Sequence, residues 1–301
     1  FFASHVVAFL EFPMLPFSLP RLASELQINC GQWSPAATEW RPLYKAIVCG
    51  ITPSANEQRA VWIQVGLYHL LVVSGSHLVF LEQLIHWCTK KPAVWRWPVL
   101  SAFVLMTGLQ PPACRAFVQY ALAAIATRYR WHWPDHFLIF TSGWTCLALN
   151  PAWMSSPSLL LSWSASLALR LPHQLLALES QLNNAKLITA LFTNTLVFCL
   201  TLPTLMAFQT PNPFTILVNI FFAPVIGLVL FPTSLLAFVI PSLTVVTDAF
   251  WWITHTAISA IAPYIAIVDA GVPIPIGVTW GILWSAHVSC YFRHRYLRRK
   301  S

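Results

Sequence analysis

Apolar positions in this chain run together in long blocks rather than alternating. Blocks of near-spanning length cover residues 67–87, 94–109, 111–130, 135–149, 157–171, 186–206, 213–241, 243–268 and 276–292. A membrane helix needs about 20 apolar residues. A membrane-spanning barrel would show shorter segments of period two instead. The pattern predicts an all-α, polytopic helical membrane protein of about nine or ten spans, some of them broken or re-entrant. Residues 1–20 are apolar but carry Glu11, Pro13, Pro16 and Pro20, and read as a weak first span or a surface helix. Residues 21–65 are more polar, with short amphipathic helices expected near 36–48 and 54–65, the second capped by Ser54 with Glu57 three residues on. The division is therefore 1–65, a weak span with an outside-facing amphipathic region, and 66–301, the membrane domain.

The block Gly66–Trp87, GLYHLLVVSGSHLVFLEQLIHW, departs from a plain lipid anchor. It holds His69, Ser74, Gly75, Ser76, His77 and Glu82. Polar groups at membrane depth are costly and normally face protein or a wet path. The 213–241 run is interrupted by Pro213, Asn219, Pro224, Gly227 and Pro232. It reads either as a broken helix lining a cavity or as one kinked helix.

Composition strengthens the membrane reading. The chain is 57% hydrophobic and 9% charged, with mean hydropathy +0.65, whereas a soluble domain averages about 25% charged residues. The net charge of +8 first reports orientation. Lys90, Lys91 and Arg96; Arg128 and Arg130; Arg170 and Lys186; and the tail Arg293, Arg295, Arg298, Arg299 and Lys300 fall on one side when spans are counted alternately. Excess Lys and Arg makes that side the cytoplasm. The same count puts 21–66 outside, so Cys30 and Cys49 meet an oxidising compartment and are expected to form a disulfide. The other cysteines read as small buried hydrophobes.

Arg115, in PPACRAFVQYALAAIA, is the most informative charge. Pro111 and Pro112 suit a helix start. The arginine either snorkels to outer headgroups or holds a fixed cation toward an internal path for anions, with a fork matched to phosphate. His69 and His77 lie about two helical turns apart and lack a third ligand, so no metal site and no cofactor are expected. Glu82, His86, Asp248, His255 and Asp269 are scattered. Neither an HExxH zinc motif nor a P-loop occurs. VSGSH places Ser76 beside His77 in sequence, which does not produce a nucleophile–base geometry. The chain is not expected to be an enzyme.

Four segments resemble, in order, elements of the ComEC competence-protein family. GLYHLLVVSGSH at 66–77 is similar to the family's SHLLAISGLH, and PPACRA at 111–116 to its proline-then-RA element. NPAWMSSPSLLLSW at 150–163 is similar to NP…SPGFQLSF, and LVNIFFAPVIGLVLFP at 217–232 to its last proline-bearing element. Ser158-Leu159-Leu160-Leu161-Ser162-Trp163 lacks the glycine and glutamine of the third element, and 48–52 lacks the acid and base of LLGDR. The family's OB-like and metallo-β-lactamase-like domains are not found, so the chain resembles the membrane channel region alone.

The resemblance implies a bacterial inner-membrane channel passing single-stranded DNA from periplasm to cytoplasm in natural transformation. Arg115 is then the first phosphate contact and Trp163 the best stacking residue, with His69, Ser74, Ser76, His77 and Asn219 along the path. Implied partners are the single strand, the lipid bilayer, a cytoplasmic motor or DNA-binding protein, a periplasmic DNA receptor and a separate nuclease. A small-molecule permease using the 213–241 region, or a scaffold assembling competence partners, are the alternatives.

Overall fold

A computed structural model describes residues 18–35, 38–53, 57–89, 92–176, 186–206, 212–265 and 275–298. Every regular element among them is helical. In chain order these are α1 Ser18–Trp33, α2 Arg41–Cys49, α3 Glu57–Gln64, α4 Tyr68–Leu71, α5 Gly75–Cys88, α6 Pro92–Met106 and α7 Pro111–Arg128. There follow α8 Asp135–Leu149, α9 Pro157–Leu176, α10 Lys186–Leu205, α11 Thr215–Val225, α12 Phe231–Val239, α13 Thr244–Ile261 and α14 Ile276–Arg298. Most of the expected 1–20 span, the Ser54 cap, Lys90, Lys91, Asp269 and the last residues of the basic tail lie outside the described residues.

Helix ends follow local chemistry. Pro111 and Pro112 open α7, where a missing N–H costs little. Asn150 accepts from the Ala152 N–H at 3.1 Å and starts the short 3-10 turn Pro151–Ser155. Gly50, at φ 67°, ends α2 in the left-handed region, where a glycine meets no Cβ penalty.

Continuity differs between the two interrupted blocks. The 67–87 block is not one helix, because Val72, Val73 and Ser74 leave the helix between α4 and α5. The 213–241 run is continuous: α11 passes through a π-turn, Ile226–Leu230, into α12. The Phe231 N–H reaches back to the Ile226 carbonyl, a wider turn that accommodates Pro224 and Pro232 without breaking the rod. The result, Thr215–Val239, is 25 residues long with mean hydropathy 2.2. Among the described residues it alone is both long and apolar enough to cross a bilayer by those two measures; Val94–Met106 and Leu191–Leu205 are apolar but shorter.

The outer surface is as telling as the core. Only 33% of the apolar window of Thr215–Val239 is buried. Phe221, Leu228, Val245, Trp252, Ile253 and Phe292 all expose more than half of their surface. Exposed apolar surface on this scale calls for an apolar surrounding.

Inside, two apolar clusters form. One joins α1–α7 with α11–α13 around Tyr44, Trp62, Leu78, Phe231 and Trp251. It runs across residue 65, so α2 and α3 share their core with the later helices. The Tyr44 hydroxyl donates to Asp248 Oδ1 at 2.9 Å, and Cys30 and Cys49 are joined with Cα atoms 5.7 Å apart. The second cluster joins α8, α9 and α14 around Ile139, Leu160, Trp163 and Leu283. Cys114, on α7, packs against both.

Candidate functional site

The seam between the clusters holds a buried cation. Arg115 projects from the second turn of α7 and is 2% exposed. Its Nε donates to Ser162 Oγ at 3.0 Å and its Nη1 to Gln119 Oε1 at 2.9 Å. Its Nη2 donates to Ser166 Oγ at 2.5 Å. Gln119 sits one turn along α7, and Ser162 and Ser166 sit one turn apart on α9, so each pair shares a helix face. The guanidinium faces protein, not lipid, which excludes a snorkelling arginine here.

Among the described residues no carboxylate is paired with this charge. The ion pairs among the described residues are Arg21–Glu25, Arg96–Glu82 and Arg170–Asp135. Burying an ion costs several kcal/mol even after relaxation. Three bonds to neutral acceptors return part of that, roughly 1.5–3 kcal/mol each for a charged donor. The remainder is an unneutralised positive charge in a low-dielectric interior.

The first turn of α5 lies alongside. A Cβ on Gly75 would stand 3.8 Å from Arg115 Nη2 and 3.2 Å from the Ala116 Cβ. Ser74 caps this helix: its side chain receives the His77 N–H, while the Ser74 N–H donates to His77 Nδ1 at 2.9 Å. Nδ1 is therefore an acceptor. Ser74 Oγ and Ser76 Oγ are 2.6 Å apart. His77 is 2% exposed and stands edge-on to Phe231, ring centroids 4.5 Å apart. The positive end of the helix dipole and the guanidinium thus meet at the same place, an arrangement that favours an anion.

The remaining expected residues sit elsewhere. His69 Nδ1 donates to the Gly66 carbonyl at 2.9 Å. Asn219 donates to the Thr215 carbonyl at 2.9 Å. These two neighbourhoods touch, since a Cβ on Gly66 would lie 2.7 Å from Thr215 Cγ2. Trp163 lies inside the second cluster. It is 1% exposed, lies over Gly143, stands edge-on to Trp280 and donates to His287 Nε2 at 2.9 Å. Buried to this degree, the ring leaves no open platform for a base. Consecutive helical side chains point about 100° apart, so Ser162 faces Arg115 while Trp163 faces the second cluster.

Sequence reasoning did not single out Gln119 or Ser166. The signal was present as the four-residue spacings 115/119 and 162/166. Among the described residues no three His, Cys, Asp or Glu side chains gather as metal ligands. Glu82 pairs with Arg96 at 2.6 Å, and His255 stands edge-on to Trp40 with ring centroids 5.2 Å apart.

Comparison with known proteins gives one result. The family model described as Competence protein matches residues 53–294. No curated protein and no solved structure matches. The chain belongs to the Competence protein family, whose domain is a membrane domain.

Proposed function

From membership of that family, we propose that this domain passes single-stranded DNA across the bacterial inner membrane, from periplasm to cytoplasm, during natural transformation. The observation that supports it most is Arg115, a buried guanidinium with no carboxylate partner among the described residues, set beside the N-terminus of α5. A phosphate diester carries the charge this place lacks. The planar fork of arginine fits its two free oxygens.

In the arrangement described, the Arg115 donors are occupied by Ser162, Gln119 and Ser166. On this reading the seam is closed at rest, and passage exchanges those neutral bonds for phosphate as α7 and α9 part. Each nucleotide carries one negative charge, and each costs roughly 2.3 kcal/mol per 100 mV against an inside-negative potential. The chain shows no P-loop to supply that work. A cytoplasmic motor or DNA-binding protein draws the strand, a periplasmic receptor delivers it, and a separate nuclease yields single strands.

Arg115→Ala tests the proposal. Removing the cation leaves Ser166 Oγ donating to the Ser162 carbonyl, at 2.7 Å, as it already does, so the fold should survive. Uptake of labelled DNA into the cytoplasm should fall to background while periplasmic accumulation continues. Wild-type transformation frequency in a well-expressed Arg115→Ala strain would refute the proposal.

A further inference from the structure

Beyond the end of α7 the chain reads Arg128-Tyr129-Arg130-Trp131-His132-Trp133, basic and aromatic in strict alternation. The helix closes here in a double turn: the Arg130 N–H donates to the Thr127 carbonyl at 3.2 Å and the Trp131 N–H to the Ala126 carbonyl at 2.8 Å. That closure puts a left-handed residue between them and usually selects glycine. Here the residue is Arg130, at φ 54°. An arginine side chain stands where the backbone favours none.

The aromatic members form a ladder. Tyr129 and Trp131 stack with ring centroids 5.3 Å apart and planes 25° apart. Trp131 and Trp133 stack at 5.1 Å and 24°. Phe137 closes one end edge-on to Trp133, at 5.0 Å. The other end is open: Tyr129 is 65% exposed and Trp131 49%. Tyr129 and Arg128 also form one wall of an open groove of about 520 Å³, completed by Trp97, Phe117, Ala121 and Ala124. Arg128 and Arg130 are exposed and carry no ion pair among the described residues.

A stack of rings with interleaved free cations is what a single strand of nucleic acid needs. Bases stack on aromatic faces without regard to sequence, and neighbouring cations track the phosphates. Lipid-interface aromatics have no requirement to stack on one another. We infer that the Tyr129–Trp131–Trp133 ladder, with Arg128 and Arg130, is a second binding site, one that holds single-stranded nucleic acid at the membrane surface. A base continues the stack on the open face of Tyr129, and flanking phosphates meet the two arginines. Its assignment to the exit of the path rests on the proposed function and on the cytoplasmic placing of the basic loops. The binding itself does not.

The experiment uses the full chain in nanodiscs of neutral phosphatidylcholine and a fluorescent oligothymidylate, read by anisotropy across a salt series. Tyr129→Ala should weaken binding about tenfold or more, the scale of one lost stacking contact. Arg130→Gly suits the left-handed turn better than the native residue, so the fold is retained. It should weaken binding and take about 0.7 off the salt slope, the share of one phosphate contact on a single strand. Binding and salt slope equal to wild type in both variants overturns the inference. So does weakened binding of both variants to phosphatidylglycerol vesicles with oligonucleotide binding unchanged, because the site then belongs to lipid headgroups. Oligonucleotide binding is read without transport, so failure here leaves the Arg115 proposal, tested by uptake, standing.

Discussion

Gly143 shows how tightly single residues are specified in the second cluster. Its missing side chain leaves room for the Trp163 ring, whose carbons occupy the place of a Cβ. Gly143→Val should cost about 1–3 kcal/mol, as overpacked cores do, and a lowered unfolding temperature of the purified protein would register it. At this scale the sequence was legible in type but not in direction. Arg115 is marked by its setting in an apolar helix start, and burial turns out to be its state. Trp163 stands next to Ser162 in a matched element, and the resemblance implies a stacking role for it. One step along a helix turns it by about 100°, to where Gly143, Trp280 and His287 surround it. No spacing within α9 alone distinguishes those two sides; α7 and α14 do.

Between elements, the deciding device is the cap at Ser74. Ser, Gly and Ser suit a helix start better than a helix middle, because a serine side chain satisfies a free backbone N–H. Ser74→Ala removes that acceptor and should destabilise the protein by about 1 kcal/mol, measured by thermal unfolding in detergent. The break at 72–74 was thus written in residues that looked like site chemistry, and hydropathy alone joined it into one span. At 213–241 the prolines leave a broken and a continuous helix both open, and neighbouring helices and a single widened turn keep the rod whole. The expected bounds of the blocks beginning at 111, 135 and 157 agree with the helix starts Pro111, Asp135 and Pro157, since proline or an acid marks each.

Across the molecule, the polar lead into the first block is fastened rather than free. Gln27 Nε2 reaches the carbonyls of Cys49, Gly50 and Thr107 at 3.2, 3.3 and 3.2 Å, tying α1 to the ends of α2 and α6. The Cys30–Cys49 link fixes the same corner. A crosslink across a loop of this length, 19 residues, stabilises by about 3 kcal/mol in the chain-entropy account. Reductant, or Cys30→Ser with Cys49→Ser, should therefore lower the unfolding temperature, and labelling of Cys30 and Cys49 themselves should appear only after reduction. Length, apolar blocks and basic clusters made the helical membrane class legible. They did not reveal that residues before 65 complete the first core, because burial of Leu43, Tyr44 and Ile47 depends on helices two hundred residues later.

The π-turn at Ile226–Leu230 inserts one residue into the rhythm of the long helix. One residue is a rotation of about 100°, so the helix is clocked twice along its length. Thr215 and Val218 are buried on the first setting, and Phe231, Ser234 and Ala237 on the second. The second setting is what aims Phe231 at His77 and Ser234 at the Trp251 indole, at 3.1 Å. Both the histidine-capped α5 and the indole of α13 are therefore met by the second setting, through residues three apart on one face.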